Sequence, residues 1–162
     1  MKKLRLLFFV LLFTWILPAC QGDPSDYMPD IDLPLSKMNQ ELHILAQPML
    51  NTFLIGDSVL LTAYNSSSLP VVVGPDFGIH IFRKVDDQWE TVYNGMEDVI
   101  GNNWILADGS ENYLSEIVGV LPEVYPQEPV EIRIVMLGNF VKANGELGKE
   151  AGAYIDVTLD PK

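Results

Sequence analysis

Ile79-His80-Ile81-Phe82-Arg83-Lys84-Val85 runs through Asp86-Asp87-Gln88 into Trp89-Glu90-Thr91-Val92-Tyr93. Both outer runs are rich in β-branched and aromatic residues, and the polar connection between them has a standard hairpin length of three. Side chains alternate across a strand, so Ile79, Ile81, Arg83 and Val85 share one face. On the second run Trp89, Thr91 and Tyr93 alternate with Glu90 and Val92. The pattern predicts a hairpin with one face turned to a core.

The same rhythm extends in both directions. Upstream, Glu41–Leu45 and Phe53–Ile55 read as strands interrupted by Pro48, and Gly56-Asp57 reads as a turn opening Ser58–Asn65. Asn65-Ser66-Ser67-Ser68-Leu69-Pro70 is a loop, and Val71-Val72-Val73 is a strand stopped by Gly74-Pro75. Downstream, residues 94–116 read as a glycine-containing loop, followed by strands at Ile117–Leu121, Val130–Leu137 and Ala153–Leu159. In the Val130 run, Val130, Ile132, Ile134 and Met136 form one face, opposite Glu131 and Arg133. Outside the first twenty residues no segment sustains a helical period. Short strands at this spacing predict an all-β fold, an antiparallel β-sandwich of about seven to nine strands. Cys20 is the only thiol, so the sandwich has no internal disulfide and rests on its core alone.

Gly56-Asp57-Ser58-Val59-Leu60-Leu61-Thr62 with Asn65-Ser66-Ser67 resembles the second-strand signature of bacterial immunoglobulin-like envelope domains. The hairpin into Trp89-Glu90-Thr91-Val92, the turn Tyr125-Pro126-Gln127-Glu128 and the closing Gly152-Ala153-Tyr154-Ile155 keep the same order. The resemblance covers about residues 41–160 and implies an immunoglobulin-like sandwich domain, 41–162, of the disulfide-free bacterial kind. It carries no catalytic letters, so it speaks to fold more than to function.

The other end of the chain addresses location. Met1-Lys2-Lys3-Leu4-Arg5 is basic, Leu6–Leu17 is apolar apart from Thr14, and Leu17-Pro18-Ala19-Cys20 follows. Twelve helical residues would span roughly 18 Å, short of the roughly 30 Å hydrocarbon core, so a signal peptide fits better than a membrane span. The stretch resembles the lipobox of bacterial lipoproteins, with Leu17 and Ala19 as recognition residues and Pro18 where that family prefers Ala or Ser. The resemblance implies a leader over residues 1–19, lipid on the Cys20 thiol, and an acylated new amino terminus. It places the protein at the bacterial cell envelope, in the outer membrane or on the outer face of the plasma membrane. Gln21, where that family's inner-membrane proteins carry aspartate, favours the outer membrane in a two-membrane cell. Residues 20–40, dense in proline and aspartate, read as the lipidated cysteine and a flexible tether that lifts the domain clear of the headgroups.

Loss of Lys2, Lys3 and Arg5 with the leader leaves seven basic residues against 22 acidic, a formal charge of about −15. Such a surface repels nucleic acid and excludes it as a partner. The expected contacts are the membrane, through the lipid anchor, and a protein partner in the envelope.

No catalytic or cofactor set emerges. Gly56-Asp57-Ser58 is similar to the nucleophile block of GDSL hydrolases, but the downstream Asp-x-x-His that would supply the base is missing, as is a Gly-x-Ser-x-Gly elbow. His43 and His80, with no free thiol, are a poor zinc set. Asp108-Gly109-Ser110-Glu111-Asn112 alternates oxygen donors as a calcium loop does, yet Tyr113 stands where an EF-hand needs glycine and the closing glutamate is missing. Asn65-Ser66-Ser67 fits a glycosylation sequon, although an asparagine ending a strand is the simpler account. Among Trp89, Tyr93, Trp104 and Tyr113, Trp104 is the candidate for a ligand-stacking platform, because Gly101-Asn102-Asn103 beside it is loop-like. The expectation is a non-enzymatic, lipid-anchored interaction or accessory module without metal or cofactor. The alternatives are a module distantly similar to BsuPI-type protease inhibitors and a ligand- or calcium-binding accessory lipoprotein.

Overall fold

The computed structural model describes residues 24–47, 52–54, 58–95, 103–109, 111–118 and 128–161. The leader, Cys20 and the turns at Gly56-Asp57 and Tyr125–Gln127 lie outside them. Ten strands occur among the described residues: β1 (Leu42–Gln47), β2 (Thr52–Leu54), β3 (Ser58–Asn65), β4 (Val71–Val73), β5 (Ile79–Val85), β6 (Gln88–Asn94), β7 (Trp104–Leu106), β8 (Glu111–Val118), β9 (Val130–Val141) and β10 (Leu147–Asp160). The all-β sandwich expected from the alternation is present, with one strand more than the expected range.

One sheet has the order β1-β3-β8 and the other runs β2-β10-β9-β4-β7. Strand β9 is long enough to serve two neighbours on one edge. Its first half pairs with β5, Ile81 opposite Ile134, and its second half with β4, Val71 opposite Phe140. Strand β6 then continues from β5. Pairing is antiparallel except where β2 lies parallel to the end of β10.

Alternation explains the core. Ile79 and Ile81 of β5, Ile132, Ile134 and Met136 of β9, and Ala151, Ala153, Val157 and Leu159 of β10 point inward from the large sheet. They meet Leu42, Ile44, Leu61 and Ala63 of the small sheet. Most are β-branched or small, which suits two pleated faces packed about 10 Å apart.

The hairpin differs from expectation in two ways. Its connection is Asp86-Asp87 alone, because Val85 pairs with Gln88. Both aspartates take left-handed backbone angles (φ 48° and 62°), the geometry that a two-residue hairpin turn demands. A register shift between Ile81 and Phe82 then makes β6 bulge, so Ile81 faces Tyr93 while Phe82 faces Thr91. Trp89 and Tyr93, expected on one face, therefore lie on opposite faces. Tyr93 packs on the inner core and Trp89 on the outer side.

The largest correction concerns residues 20–40, read above as a flexible tether. From Pro24 onward this segment is folded on the outer face of the large sheet, with 3-10 turns at Pro24–Asp26 and Leu35–Lys37. Met28, Ile31 and Met38 are buried there with Phe82 and Val135. Composition misled because proline and aspartate outvoted the apolar residues: Tyr27, Met28, Ile31, Leu33, Leu35 and Met38 fall within twelve positions. A true spacer has no use for apolar side chains, whose exposure to water costs free energy.

Candidate functional site

The outer face of the large sheet gathers most of the molecule's specific polar chemistry. Arg133 sits at its centre on β9, with Phe82 of β5 opposite on one side and Asp156 of β10 on the other. Partners across a sheet share a face, so all three project away from the inner core. The guanidinium meets Asp156 in a fork, Nε to Oδ1 and Nη2 to Oδ2, both 2.7 Å. Two aromatic rings lie against it, the Trp89 centroid 4.5 Å and the Tyr154 centroid 4.7 Å from Cζ. Nη1 reaches the Met28 sulfur at 3.5 Å, joining the strap to the sheet. Only 12 % of the Arg133 side chain is exposed. A planar cation held edge-on by a carboxylate and face-on by two rings is a rigid fixture that lysine could not replace.

Asn39 fastens the strap at the edge of β10. Its backbone N–H donates to the Gly152 carbonyl, its side-chain amide donates to the Tyr154 carbonyl, and its Oδ1 accepts from the Tyr154 N–H. One residue in the left-handed region (φ 57°) thus does for this stretch of edge what a paired strand would do. Asn and Gly tolerate that conformation best. Ser36 closes the strap on itself, its N–H and hydroxyl donating to the Asp26 carboxylate at 2.7 and 2.6 Å. Gly152 lies directly beneath. A side chain there would come within 2.6 Å of Leu33 Cδ2 and 3.0 Å of Met38 Cγ.

Beside Arg133 an open groove of about 440 Å³ is lined by Ser25, Leu35, Lys84, Trp89, Glu131 and Thr158, among others. The Lys84 ammonium lies 3.0 Å from Glu131 and 3.5 Å from Asp87. Glu131 above all, by hydrogen bond and charge, holds the Lys84 pKa above the usual lysine value. A second groove of about 250 Å³ lies where the strap crosses the β10 edge toward β1, beside the Lys149–Glu41 ion pair at 2.8 Å. Each groove is walled in part by paired charges, Lys84 with Glu131 and Arg133 with Asp156 in the first and Lys149 with Glu41 in the second.

The residues singled out from sequence are scattered. Asn65 is fully buried at the end of β3, where its amide donates to the carbonyls of Leu69, Leu106 and Ala107 and its Oδ1 accepts from Ser67. It is the knot of one pole of the sandwich, and burial withholds its amide nitrogen from modification. His43 stands near Tyr64 on the small sheet, with Nε2 3.3 Å from Ser66 Oγ. His80 is buried on the outer face of the large sheet beside Phe82. Among the described residues no group of three or more His, Cys, Asp or Glu could hold a metal ion. Ser58 opens β3. Asp108 and Gly109 form the turn after β7, with Gly109 at φ 62°.

Of the aromatic residues, Trp89 is used in gripping Arg133 and Tyr93 in the core. Trp104 is 52 % exposed, with Phe77 stacked behind it at 4.9 Å. Phe77 itself adopts φ 55°, a strained value for a bulky residue, next to Gly78 at φ 61°. A side chain at Gly78 would collide with the Leu137 carbonyl oxygen. Sequence reading missed Arg133, Asp156 and Asn39. The available signals were an arginine inside an apolar strand run and two methionines inside a proline-rich segment.

No protein-family model matches the chain, and no curated protein matches it. Among solved structures it is similar to Spo0M, a sporulation control protein from Bacillus subtilis, at 10 % identity and a TM-score of 0.42. That match covers 75 % of this chain and 49 % of the other, so this chain spans about half the length of that protein.

Proposed function

We propose that this protein is a lipid-anchored bacterial envelope protein whose sandwich, immunoglobulin-like in type, is a non-enzymatic interaction or accessory module. The observation that carries the reading is the leader ending at Leu17-Pro18-Ala19-Cys20, with Cys20 the only thiol in the chain. Three features support it. The mature chain is strongly acidic, which suits a soluble domain facing water and disfavours nucleic acid. Among the described residues no helix is long and apolar enough to cross a membrane. On the outer face Arg133 with Asp156, Ser36 with Asp26, and Asn39 with the Tyr154 backbone are engaged with one another. The partners are then the membrane, through the anchor, and a protein of the envelope.

The test is metabolic labelling with an alkyne fatty acid. Wild-type protein should carry the label and sediment with membranes, and Cys20→Ser should lose both while its folded domain remains. Labelling of the Cys20→Ser variant, or an unlabelled soluble wild type, would remove the proposal.

A further inference from the structure

The strap changes where an anchored sandwich must stand. Three residues separate Cys20 from Pro24. Four Cα steps, fully extended, reach at most about 14 Å. Beyond Pro24 the chain has no slack: Asp26 is bonded to Ser36, Met28 is buried against Arg133, and Ile31 and Met38 are buried beyond it. Any group on Cys20 is therefore confined close to the place where Pro24–Asp26 packs.

That place is one pole of the molecule. Ser25 lines the groove beside Lys84, Trp89, Glu131 and Thr158. Lys84 and Trp89 form the second pair from the Asp86-Asp87 turn, Glu131 is the second residue of β9, and Thr158 is two from the end of β10. The opposite pole carries the β9–β10 turn and the loops tied by Asn65. Twelve residues of β9 at about 3.3 Å each separate the two by roughly 40 Å.

We infer that the sandwich stands directly on the lipid surface by its β5–β6 turn pole, with β9 rising from the membrane and the Asn65 pole held outermost. The inference rests on Cys20 carrying the lipid. It replaces a domain that tumbles on a leash with one of fixed orientation. Lys84 is neutralised by Glu131 and Asp87, and Asp86 and Asp87 are exposed, so covalent attachment holds this pole down where charge attraction does not. An envelope partner then meets the Asn65 pole or the flanks, roughly 40 Å above the bilayer.

The experiment uses the chain from Cys20 onward, with its single thiol coupled to a maleimide lipid. Orientation is thereby read independently of whether a cell lipidates Cys20, and the labelling experiment above tests that separately. An azide-bearing amino acid at Gln88 or at Glu146 takes a donor dye, and phosphatidylcholine vesicles carry headgroup acceptors. Energy transfer from position 88 should exceed that from position 146 several-fold. Equal transfer, or more from position 146, would overturn the inference. Inserting twenty Gly/Ser residues between Gln21 and Gly22 should abolish the difference. A difference that survives the insertion would mean that the pole adheres to lipid by itself, and would overturn the short-tether account.

Discussion

The two faces of the β5-β9-β10 sheet are closed by different means. The inner face meets another sheet, and its contacts are apolar throughout, from Ile79 and Ile134 to Leu61 and Ala63. The outer face meets seventeen residues of largely irregular chain, 24–40, and closure there needs both burial and polar fastening. Met28, Ile31 and Met38 cover Phe82 and Val135, while Asn39, Asp26 with Ser36, and Arg133 with Asp156 satisfy the polar groups. Irregular chain can serve as a structural layer when its own hydrogen bonds are supplied locally. The inner layer depends on shape alone. The outer layer depends on a few side chains that each do several jobs.

Equal burial on the two faces should give equal cost when a core side chain is cut back. Phe82→Ala, outside, should lose about 3–5 kcal/mol and Ile134→Ala, inside, about 2–5 kcal/mol, read from urea unfolding. A loss below about 1 kcal/mol for Phe82→Ala would mean that the outer layer is only loosely applied. Arg133→Met keeps the apolar stem but removes the fork and the stacked cation. A loss of about 1–3 kcal/mol is expected, with faster proteolytic cutting within residues 24–40. The loss stays small because Asp156 is half exposed and water can take over its charge. Gly152→Ala tests contact between strap and sheet without touching the inner core. Crowding of Leu33 and Met38 should cost about 1–2 kcal/mol, with the inner-face amides as slow to exchange as before. The smallest effect belongs to Lys84. Its pKa is raised on folding by Glu131 and then Asp87, so its stabilisation is fully present below the ordinary lysine value, about 10.4, and fades above it. Lys84→Met should therefore differ slightly from wild type, by the same amount at pH 6 and pH 9, with the gap closing only as pH rises past that range.

The inner face was legible because alternation is a local property. Ser58–Asn65, Val71–Val73 and Ile79–Val85 end where turn residues and composition place them. Strand β9 runs past the expected end at Leu137 to Val141, because Gly138 acts as a site of close approach rather than a stop. A side chain there would lie 2.6 Å from the Val72 carbonyl oxygen. Residues 94–116 hold β7 and most of β8, although glycines and scattered charges made them read as a loop. The bulge at Val92 could not be read, since alternation continues smoothly in one dimension while the register slips in the other. The outer site was the least legible part. Arg133, Trp89, Tyr154, Asp156 and Met28 come from four separate stretches, and only the sheet brings them together.

The account stands or falls on whether residues 24–40 are a layer of the fold. Hydrogen exchange on the chain from Cys20 onward tests this at single amides. The N–H groups of Met38, which donates to Leu35, and of Asn39, which donates to Gly152, should exchange orders of magnitude more slowly than in an unfolded peptide. Tyr154, whose N–H donates to Asn39, should be protected along with them. Exchange at the unprotected rate at Met38 and Asn39, with β9 still protected, would restore the flexible tether and contradict the account.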